Sequence, residues 1–291
     1  MMNFPHIFNV SLTSTCFLKC NFCLKGIKGG IYQRYTPLEI DKFKYIINEV
    51  EKNGTRIIEM TPTVGDILSY NHNDLLELFD YLDSKDSIDN YYFYTSAVSL
   101  SVLSDSFMQS LAQRKKLCVY ISLYGSELKE FKRITLGKEK QYDILKSNVI
   151  KFKKYIPNLA VLLRSSKKPD TFFRVILESM RTYDDWVNHS HSHASTGWTD
   201  IDKPCQYAIM DNGTAPNGDI LVCTWIDGKS ETKIGNIYDD DIGDIYNNIG
   251  DDLRQSLCYN CDFYSNIGNF NETYNSVIRN FYNDFSLPHK Q

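Results

Sequence analysis

The sequence predicts an α/β fold: a partial (β/α)6, TIM-like barrel followed by a small C-terminal extension of a β-hairpin and helices. Three observations predict it. Short β-like runs alternate with helical segments over the first two-thirds of the 291-residue chain, as in parallel sheets with crossover helices. A polar connector of small residues then begins near residue 189, and turn signals typical of a hairpin follow it. We therefore expect a barrel over residues 1–188, a connector over 189–204 and a second domain over 205–291.

Six strands are expected in the barrel, each followed by a loop or a helix. They lie near residues 6–13, 56–61, 90–95, 117–123, 160–165 and 182–187. The first helix is expected to open with a capping box, with Thr36 as N-cap, Pro37 in the first turn and Glu39 at the third position. It should stop at Asn53-Gly54. Further helical segments are expected near residues 73–84, 104–114, before 154, and 171–180.

The C-terminal extension begins with the predicted hairpin. Residues 206–210 and 219–223 flank the turn signals at 211–213 and 216–218, which contain the Asn-Gly pairs that tight turns favour. Two short helices, near residues 242–249 and 272–285, are expected to complete this part of the chain.

Composition excludes several classes of protein. The chain is 42% hydrophobic and 23% charged, with a formal net charge of −4 and no Lys/Arg-rich run, so it lacks the basic patch of a nucleic-acid-binding protein. No apolar stretch approaches the roughly 20 residues of a membrane span, and the N-terminus does not resemble a signal peptide. We expect a cytoplasmic protein in which the eight cysteines serve metal or redox chemistry.

Three of these cysteines, Cys16, Cys20 and Cys23, have the spacing C-x3-C-x2-C directly after the first predicted strand. Three thiolates from one short loop can hold three irons of a cubic iron–sulfur cluster, which leaves the fourth iron open to a small molecule. Two alternatives remain at this point. The cysteines can belong to a partial zinc site, although structural zinc prefers four closed ligands, or to disulfides, which belong to oxidising compartments.

The spacing resembles that of the radical S-adenosylmethionine (radical SAM) enzymes. The resemblance implies a [4Fe-4S] cluster on the three cysteines, with S-adenosylmethionine bound to the open iron and cleaved to a 5′-deoxyadenosyl radical. It also implies that Phe22, an aromatic residue before the third cysteine, lies beside the adenine. A flavodoxin- or ferredoxin-type electron donor is expected as a partner.

Further cofactor contacts are expected at the ends of the strands, where the loops of a parallel barrel converge. The stretch Val64-Gly65-Asp66 stands where the family usually has Gly-Gly-Glu-Pro, and it departs from that pattern. Ser122 is placed by the resemblance to bind the ribose. Arg164 ends a buried strand and needs an anionic partner, which is the carboxylate of S-adenosylmethionine, a substrate group or a structural Asp or Glu.

A second set of four cysteines lies in the C-terminal part: Cys205, Cys223, Cys258 and Cys261. Four thiolates suit either zinc or a fully ligated iron–sulfur cluster, and spacing does not separate the two. The pattern, together with residues 233–237, resembles the twitch extension of radical SAM enzymes, a shortened relative of the SPASM extension. That resemblance implies an auxiliary [4Fe-4S] cluster.

The remaining candidates are Cys118 and the connector histidines. Cys118 shares strand parity with Ser122, and we interpret it as a packed core thiol, with hydrogen-atom donation to a substrate radical as the alternative. His189, His191 and His193 are interpreted as solvated loop residues, with metal binding by alternate residues of an extended segment as an alternative. His189 and His191 are also candidates for substrate contacts that accept a proton, since the pKa of histidine lies near neutrality.

The resemblance implies a radical SAM oxidoreductase or epimerase. We expect dehydrogenation or epimerisation of a sugar or cyclitol, because the architecture resembles the small twitch-bearing dehydrogenases of aminocyclitol biosynthesis. Modification of a ribosomally made peptide is the alternative, although only 15 residues precede Cys16, too few for a leader-binding domain there. A non-enzymatic zinc-binding module is a further alternative.

Overall fold

The computed structural model describes residues 5–20, 23, 35–61, 65–164, 172–173, 181–183, 213–221 and 233–248. The strands are β1 Ile7–Val10, β2 Ile57–Glu59, β3 Asn90–Thr95, β4 Leu117–Tyr124, β5 Leu159–Arg164, β6 Arg181–Tyr183, β7 Gly213–Thr214, β8 Asp219–Leu221 and β9 Lys233–Asn236. The helices are α1 Ile40–Lys52, α2 His72–Asp83, α3 Asp105–Ala112, α4 Leu128–Thr135, α5 Glu139–Tyr155 and α6 Ile242–Asn248. A 3₁₀ turn covers Ile67–Ser69.

These nine described strands form one sheet in the order β6-β5-β4-β3-β2-β1-β7-β8-β9. Strands β1 to β6 pair in parallel with their neighbours, and helices connect the successive strands from β1 to β5. The sheet is not closed. This arrangement confirms the predicted α/β fold with a six-stranded partial barrel.

The two faces of the sheet pack against different partners, since successive side chains of a strand point to opposite faces. On one face, Val119 and Ile121 belong to the main core, which also contains the buried sides of the helices. On the opposite face, Ile7, Ile57, Tyr92 and Cys118 form a second cluster, which the helices do not share. This second face is the barrel interior, and the predicted shared parity of Cys118 and Ser122 places both on it.

Helix α1 differs from its prediction at its start. Its buried residues Phe43, Ile46, Ile47 and Val50 have the predicted helical spacing, and it ends at Asn53, followed by Gly54 at φ +100°. However, it begins at Ile40 with Glu39 as N-cap, and the cap position makes no side-chain hydrogen bond. The predicted capping box at Thr36 was therefore wrong.

A tertiary contact explains the later start of α1. The backbone N–H of Leu38 donates to the carbonyl of Leu12, 2.9 Å away, and the Leu38 side chain is buried. The hydroxyl of Tyr70 donates to the Leu38 carbonyl. These contacts hold residues 35–39 in a non-helical conformation. The helix therefore does not begin at Thr36, although the local sequence favours a cap there.

The other predicted elements of the barrel lie close to the observed ones. Strand β3 has the predicted bounds, and Asn71 and Ser104 cap α2 and α3 through their side chains. The sixth strand, predicted near residues 182–187, is described over Arg181–Tyr183. Most of the helix predicted over residues 171–180 lies outside the described residues.

The predicted hairpin is confirmed at the turn over residues 216–218. The turn predicted over residues 211–213 was wrong at its end, because Gly213 already pairs with β1 and β8 as the first residue of β7. Strands β7 and β8 pair antiparallel, and Gly218 has φ +87°, which favours glycine. Gly213 lies against β1, where a Cβ atom would be 2.4 Å from the carbonyl oxygen of Asn9. Strand β7 thus extends the barrel sheet beside β1. The predicted strand 206–210 and helix 272–285 lie outside the described residues, and the division of the chain into two domains stays a prediction.

No helix among the described residues is both long and apolar enough to cross a membrane.

Candidate functional site

The cysteine loop follows β1, at the end of the sheet where the carboxyl ends of the parallel strands meet. Cys20 is buried, and Cys16 and Cys23 are half-buried. The N–H of Cys23 donates to the carbonyl of Cys20 at 3.1 Å, and the N–H of Leu18 donates to the Cys16 Sγ at 3.4 Å. No disulfide forms among the described cysteines, so the disulfide alternative finds no support in this part of the chain.

Contacts from two sides hold this loop. The carbonyl of Thr15 accepts from the N–H of Asp66 at 2.8 Å and from the hydroxyl of Ser69 at 2.7 Å. On the other side, the Gln141 side-chain amide donates to the carbonyl of Phe17 at 2.6 Å. The loop is therefore fixed by the segment after β2 and by the start of α5, which lie far from it in sequence.

The donor set fits an iron–sulfur cluster with three cysteine ligands. Burial raises the pKa of the Cys20 thiol, and the nearby Cys16 and Cys23 thiols raise it further. Within the described residues, no group of three or more His, Cys, Asp or Glu side chains has the spacing of a formed metal site. Because iron binds thiolates, we expect cluster insertion to release protons and to draw the three sulfurs together.

The segment after β2 contains Gly65 and Asp66, both predicted to contact the cofactor. The Asp66 carboxylate is buried and accepts four hydrogen bonds: from the Thr95 hydroxyl (2.7 Å), the Ser96 N–H (2.8 Å), the Ser96 hydroxyl (2.6 Å) and the Leu68 N–H (3.1 Å). Burial raises the pKa of this carboxyl, and the hydrogen bonds oppose the rise. The Asp66 side chain therefore joins the ends of β2 and β3, while its N–H reaches the cysteine loop.

Ala97, just beyond β3, has an unusual backbone conformation. Its φ is +55°, in the left-handed region that favours glycine. The sequence offered a signal here, because Thr95-Ser96-Ala97 stands where radical SAM enzymes often have Thr-Asn-Gly. Asn148 of α5 donates to the Ala97 carbonyl at 2.9 Å, and Ala97 is fully buried. Packing from α5 thus holds a non-glycine residue in a left-handed turn.

Substitutions at Ala97 are expected to have unequal effects. Valine should lower the free energy of unfolding by about 2–4 kcal/mol, since it adds volume to a packed site and its branched Cβ is strained at positive φ. Glycine should change it by less than about 1 kcal/mol, because relief of strain offsets the lost methyl group. Urea denaturation of the two variants checks this, and equal effects would contradict the assigned conformation.

The remaining predicted cofactor residues lie at the ends of β4 and β5. Ser122 is buried and shares the interior face of β4 with Cys118. Arg164 is the last residue of β5, and its backbone is in register with Tyr124 of β4; its side chain lies outside the description. The structure thus brings both positions to the same end of the sheet as the cysteine loop.

Several predicted site residues lie outside the described residues and stay predictions. They are Phe22, Val64, His189, His191, Cys205, Cys223, Cys258 and Cys261. The auxiliary cluster, whose four ligands all belong to this group, therefore stays a prediction as well.

A polar cluster in the barrel interior was missed by the sequence analysis. Glu59 is buried on β2 and accepts a hydrogen bond of 2.9 Å from the hydroxyl of Tyr92 on β3. Asn9 on β1 donates to the carbonyl of Thr61 at 2.9 Å. The available signal was a single carboxylate after Ile57-Ile58 in a buried strand, since an acid in such a place needs partners.

Replacing Glu59 by glutamine is expected to change how stability depends on pH. Burial raises the pKa of the Glu59 carboxyl, against hydrogen bonds from Tyr92, Thr61 and Asn9. The folded protein therefore binds this proton more tightly than the unfolded chain does, and its free energy of unfolding falls as pH rises from the ordinary glutamate pKa through the folded one. Glu59→Gln lacks this fall, so its melting temperature should exceed that of the wild type above this window and approach it below.

Thermal unfolding followed by circular dichroism across this pH range provides the measurement. The control is Asp86→Asn in the turn after α2, which removes an exposed carboxylate and should change the melting temperature little across the range. A constant difference between Glu59→Gln and the wild type would show that the carboxyl has an ordinary pKa.

Comparison with known proteins defines the fold. No protein-family model and no curated protein matches the sequence. Among solved structures, anSMEcpe with bound AdoMet superposes with a TM-score of 0.63 at 12% identity, covering 98% of this chain and 97% of that one. SuiB of Streptococcus suis bound to S-adenosylmethionine superposes with a TM-score of 0.57 at 15% identity, and the match covers 90% of this chain and 72% of SuiB. BtrN in complex with AdoMet and 2-DOIA superposes with a TM-score of 0.56 at 12% identity, and the match covers 92% of this chain and 95% of BtrN.

These three neighbours are radical SAM enzymes. The chain therefore has the fold of the radical SAM enzymes, and its cysteine loop lies at the carboxyl end of β1 within that fold.

Proposed function

We propose that this protein is a radical SAM enzyme. The observation that carries the proposal is the position of the C-x3-C-x2-C loop, which is fixed at the carboxyl end of a parallel sheet by hydrogen bonds at Thr15 and Phe17. A [4Fe-4S] cluster held there would supply the electron for reductive cleavage of S-adenosylmethionine and so for hydrogen-atom abstraction from a substrate.

The residues of this chain hold and shield that chemistry. Cys16, Cys20 and Cys23 would bind three irons of the cluster. Asp66 would keep the loops after β2 and β3 in place, since its carboxylate joins them. Ser122 would bind the ribose of the cofactor from the interior face of β4. The partial barrel would exclude water from the radical.

For the substrate, a sugar or cyclitol is the proposal. Dehydrogenation of an alcohol needs a base for the hydroxyl proton, for which His189 and His191 are the candidates, and Arg164 would orient the substrate. The electron would go to an auxiliary cluster on the four C-terminal cysteines. The solved complex of BtrN with the small molecule 2-DOIA supports this class, since the match covers nearly the whole of both chains. Epimerisation is the redox-neutral alternative.

Peptide modification is the second candidate, and a specific observation favours it. Two of the similar structures are peptide complexes: SuiB bound to the precursor peptide SuiA and anSMEcpe with the Kp18Cys peptide. The open edge of the barrel sheet would admit a peptide as well as a small molecule.

Anaerobic reconstitution tests the proposal. About eight irons per chain would support two four-iron clusters, and about four would remove the auxiliary one. Incubation with a reductant and S-adenosylmethionine should then yield 5′-deoxyadenosine. A colourless protein with tightly bound zinc and no cofactor cleavage would instead establish the zinc-binding module. Deuterium transfer from a labelled sugar or peptide into 5′-deoxyadenosine would separate the two substrate classes.

A further inference from the structure

Three tyrosines cover the middle of the barrel interior. Tyr92 and Tyr94 lie on β3 and Tyr120 on β4, and the register pairs Tyr94 with Tyr120. The rings of Tyr94 and Tyr120 stack with centroids 4.7 Å apart. Tyr92 meets both of them edge-on, at 5.9 and 5.8 Å. We refer to Tyr92, Tyr94 and Tyr120 as the tyrosine floor.

Two rings of the tyrosine floor keep part of their surface exposed. Tyr94 and Tyr120 are half-buried, whereas Tyr92, one row deeper, is 6% exposed. The cysteine loop lies at this same end of the sheet, beyond the last residues of β1. A substrate that reaches the radical from the barrel interior therefore meets the two outer tyrosine rings.

Beneath the floor lies a carboxyl group. Glu59 is in register with Tyr92 and is bonded to its hydroxyl at 2.9 Å. The two rows around it, Asn9–Glu59–Tyr92–Cys118 and Tyr94–Tyr120–Ala160, contain no Lys, Arg or His, and no salt bridge to Glu59 occurs within the described part of the chain. Its hydrogen-bond donors are neutral, so a buried carboxylate here lacks the cation that would offset its desolvation.

The tyrosine floor and the Glu59 carboxylate both attract a cationic ligand. The face of an aromatic ring carries negative potential and binds cations within about 6 Å of its centroid, and a carboxylate one row below adds attraction of the same sign through a medium of low dielectric constant. A neutral ring would gain only contact area from the floor, and an anion would be repelled.

We propose that the tyrosine floor and Glu59 bind an ammonium group of the substrate, so that this enzyme acts on an amine-bearing molecule. The inference rests on the proposed function, because it takes the barrel interior as the substrate site. It applies to either substrate class, since an aminated sugar or cyclitol and a lysine side chain both present a primary ammonium group. Glu59 acts as a positioning residue here, since it holds Tyr92. Burial raises the pKa of its carboxyl, and a bound ammonium group opposes that rise because it favours the charged form.

A matched pair of small probes tests this inference on the full-length reconstituted protein. Cyclohexylammonium and cyclohexanol have the same ring and differ in charge, and cyclohexanecarboxylate reverses the sign. Isothermal titration calorimetry at neutral pH should show cyclohexylammonium binding about tenfold more tightly than cyclohexanol, with no binding of the carboxylate. Equal affinities, tighter binding of the alcohol or the carboxylate, or no binding of the amine would each overturn the proposal.

Variants locate the effect. Glu59→Gln should reduce the preference for the amine to less than threefold, and Tyr120→Leu should weaken amine binding, whereas Tyr120→Phe keeps the ring and should retain most of it. A preference that survives Glu59→Gln would show that the amine binds elsewhere. Formation of 5′-deoxyadenosine is measured separately: its absence would refute the proposed function, while its presence without amine preference would refute only this inference.

Discussion

Replacing Cys20 by alanine is expected to abolish formation of 5′-deoxyadenosine from S-adenosylmethionine. Cys20 is the central and most buried cysteine of the three-cysteine loop. Its loss would leave two thiolates, too few for the proposed cluster that keeps one iron open. The reconstituted variant should lose about four irons relative to the wild type. Chromatographic detection of 5′-deoxyadenosine after anaerobic incubation with a reductant gives the activity.

The matched control is Cys118→Ala. Cys118 is buried as well, but it lies in the interior cluster with Ile7 and Ile57, away from the cysteine loop. This variant should retain its iron content and its cleavage of S-adenosylmethionine, at a cost in stability of about 1 kcal/mol for the smaller side chain. If Cys20→Ala still produced 5′-deoxyadenosine, the assignment of the cluster to this loop would be refuted.

Replacing Asp66 by alanine is expected to have the largest effect on stability outside the hydrophobic core. The substitution leaves the donors of Leu68, Thr95 and Ser96 without their acceptor in a buried place, and an unsatisfied buried donor costs about 1–3 kcal/mol. Because removal of the carboxylate also relieves its own desolvation, we expect a net loss of about 3 kcal/mol. Urea denaturation at neutral pH measures the free energy of unfolding.

Asp66→Ala should also weaken the cluster site. The Asp66 N–H and the Ser69 hydroxyl hold the Thr15 carbonyl directly before Cys16, so a rearranged segment after β2 releases one side of the cysteine loop. We expect less iron per chain under identical reconstitution. Asp86→Ala, an exposed residue in the turn after α2, should change stability by less than about 0.5 kcal/mol. Equal behaviour of the two variants would show that the carboxylate does not join these loops.

Local patterns were enough for the order of the elements and for the position of the cysteine loop after β1. The alternation of strand and helix signals predicted the six parallel strands, and strand β3 has its predicted bounds. Helices α2 and α3 begin within one residue of their predicted starts. The spacing of Cys16, Cys20 and Cys23 involves only neighbouring residues, so the sequence alone identified this loop as the predicted cluster site.

Contacts between distant residues decided the rest, because a sequence pattern does not show which donors meet which acceptors. Asp66 bonds to Thr95 and Ser96, about thirty positions away. The prediction that it contacts the cofactor did not show that its carboxylate also joins two loops. The backbone hydrogen bond from Leu38 to Leu12, just beyond β1, overrode the capping signal at Thr36. Glu59 and the tyrosine floor come together only through the register of β2, β3 and β4. The sequence by itself determined the fold class and the three-cysteine loop, while the tertiary structure decided what surrounds that loop, since burial and strand register are set by the whole sheet.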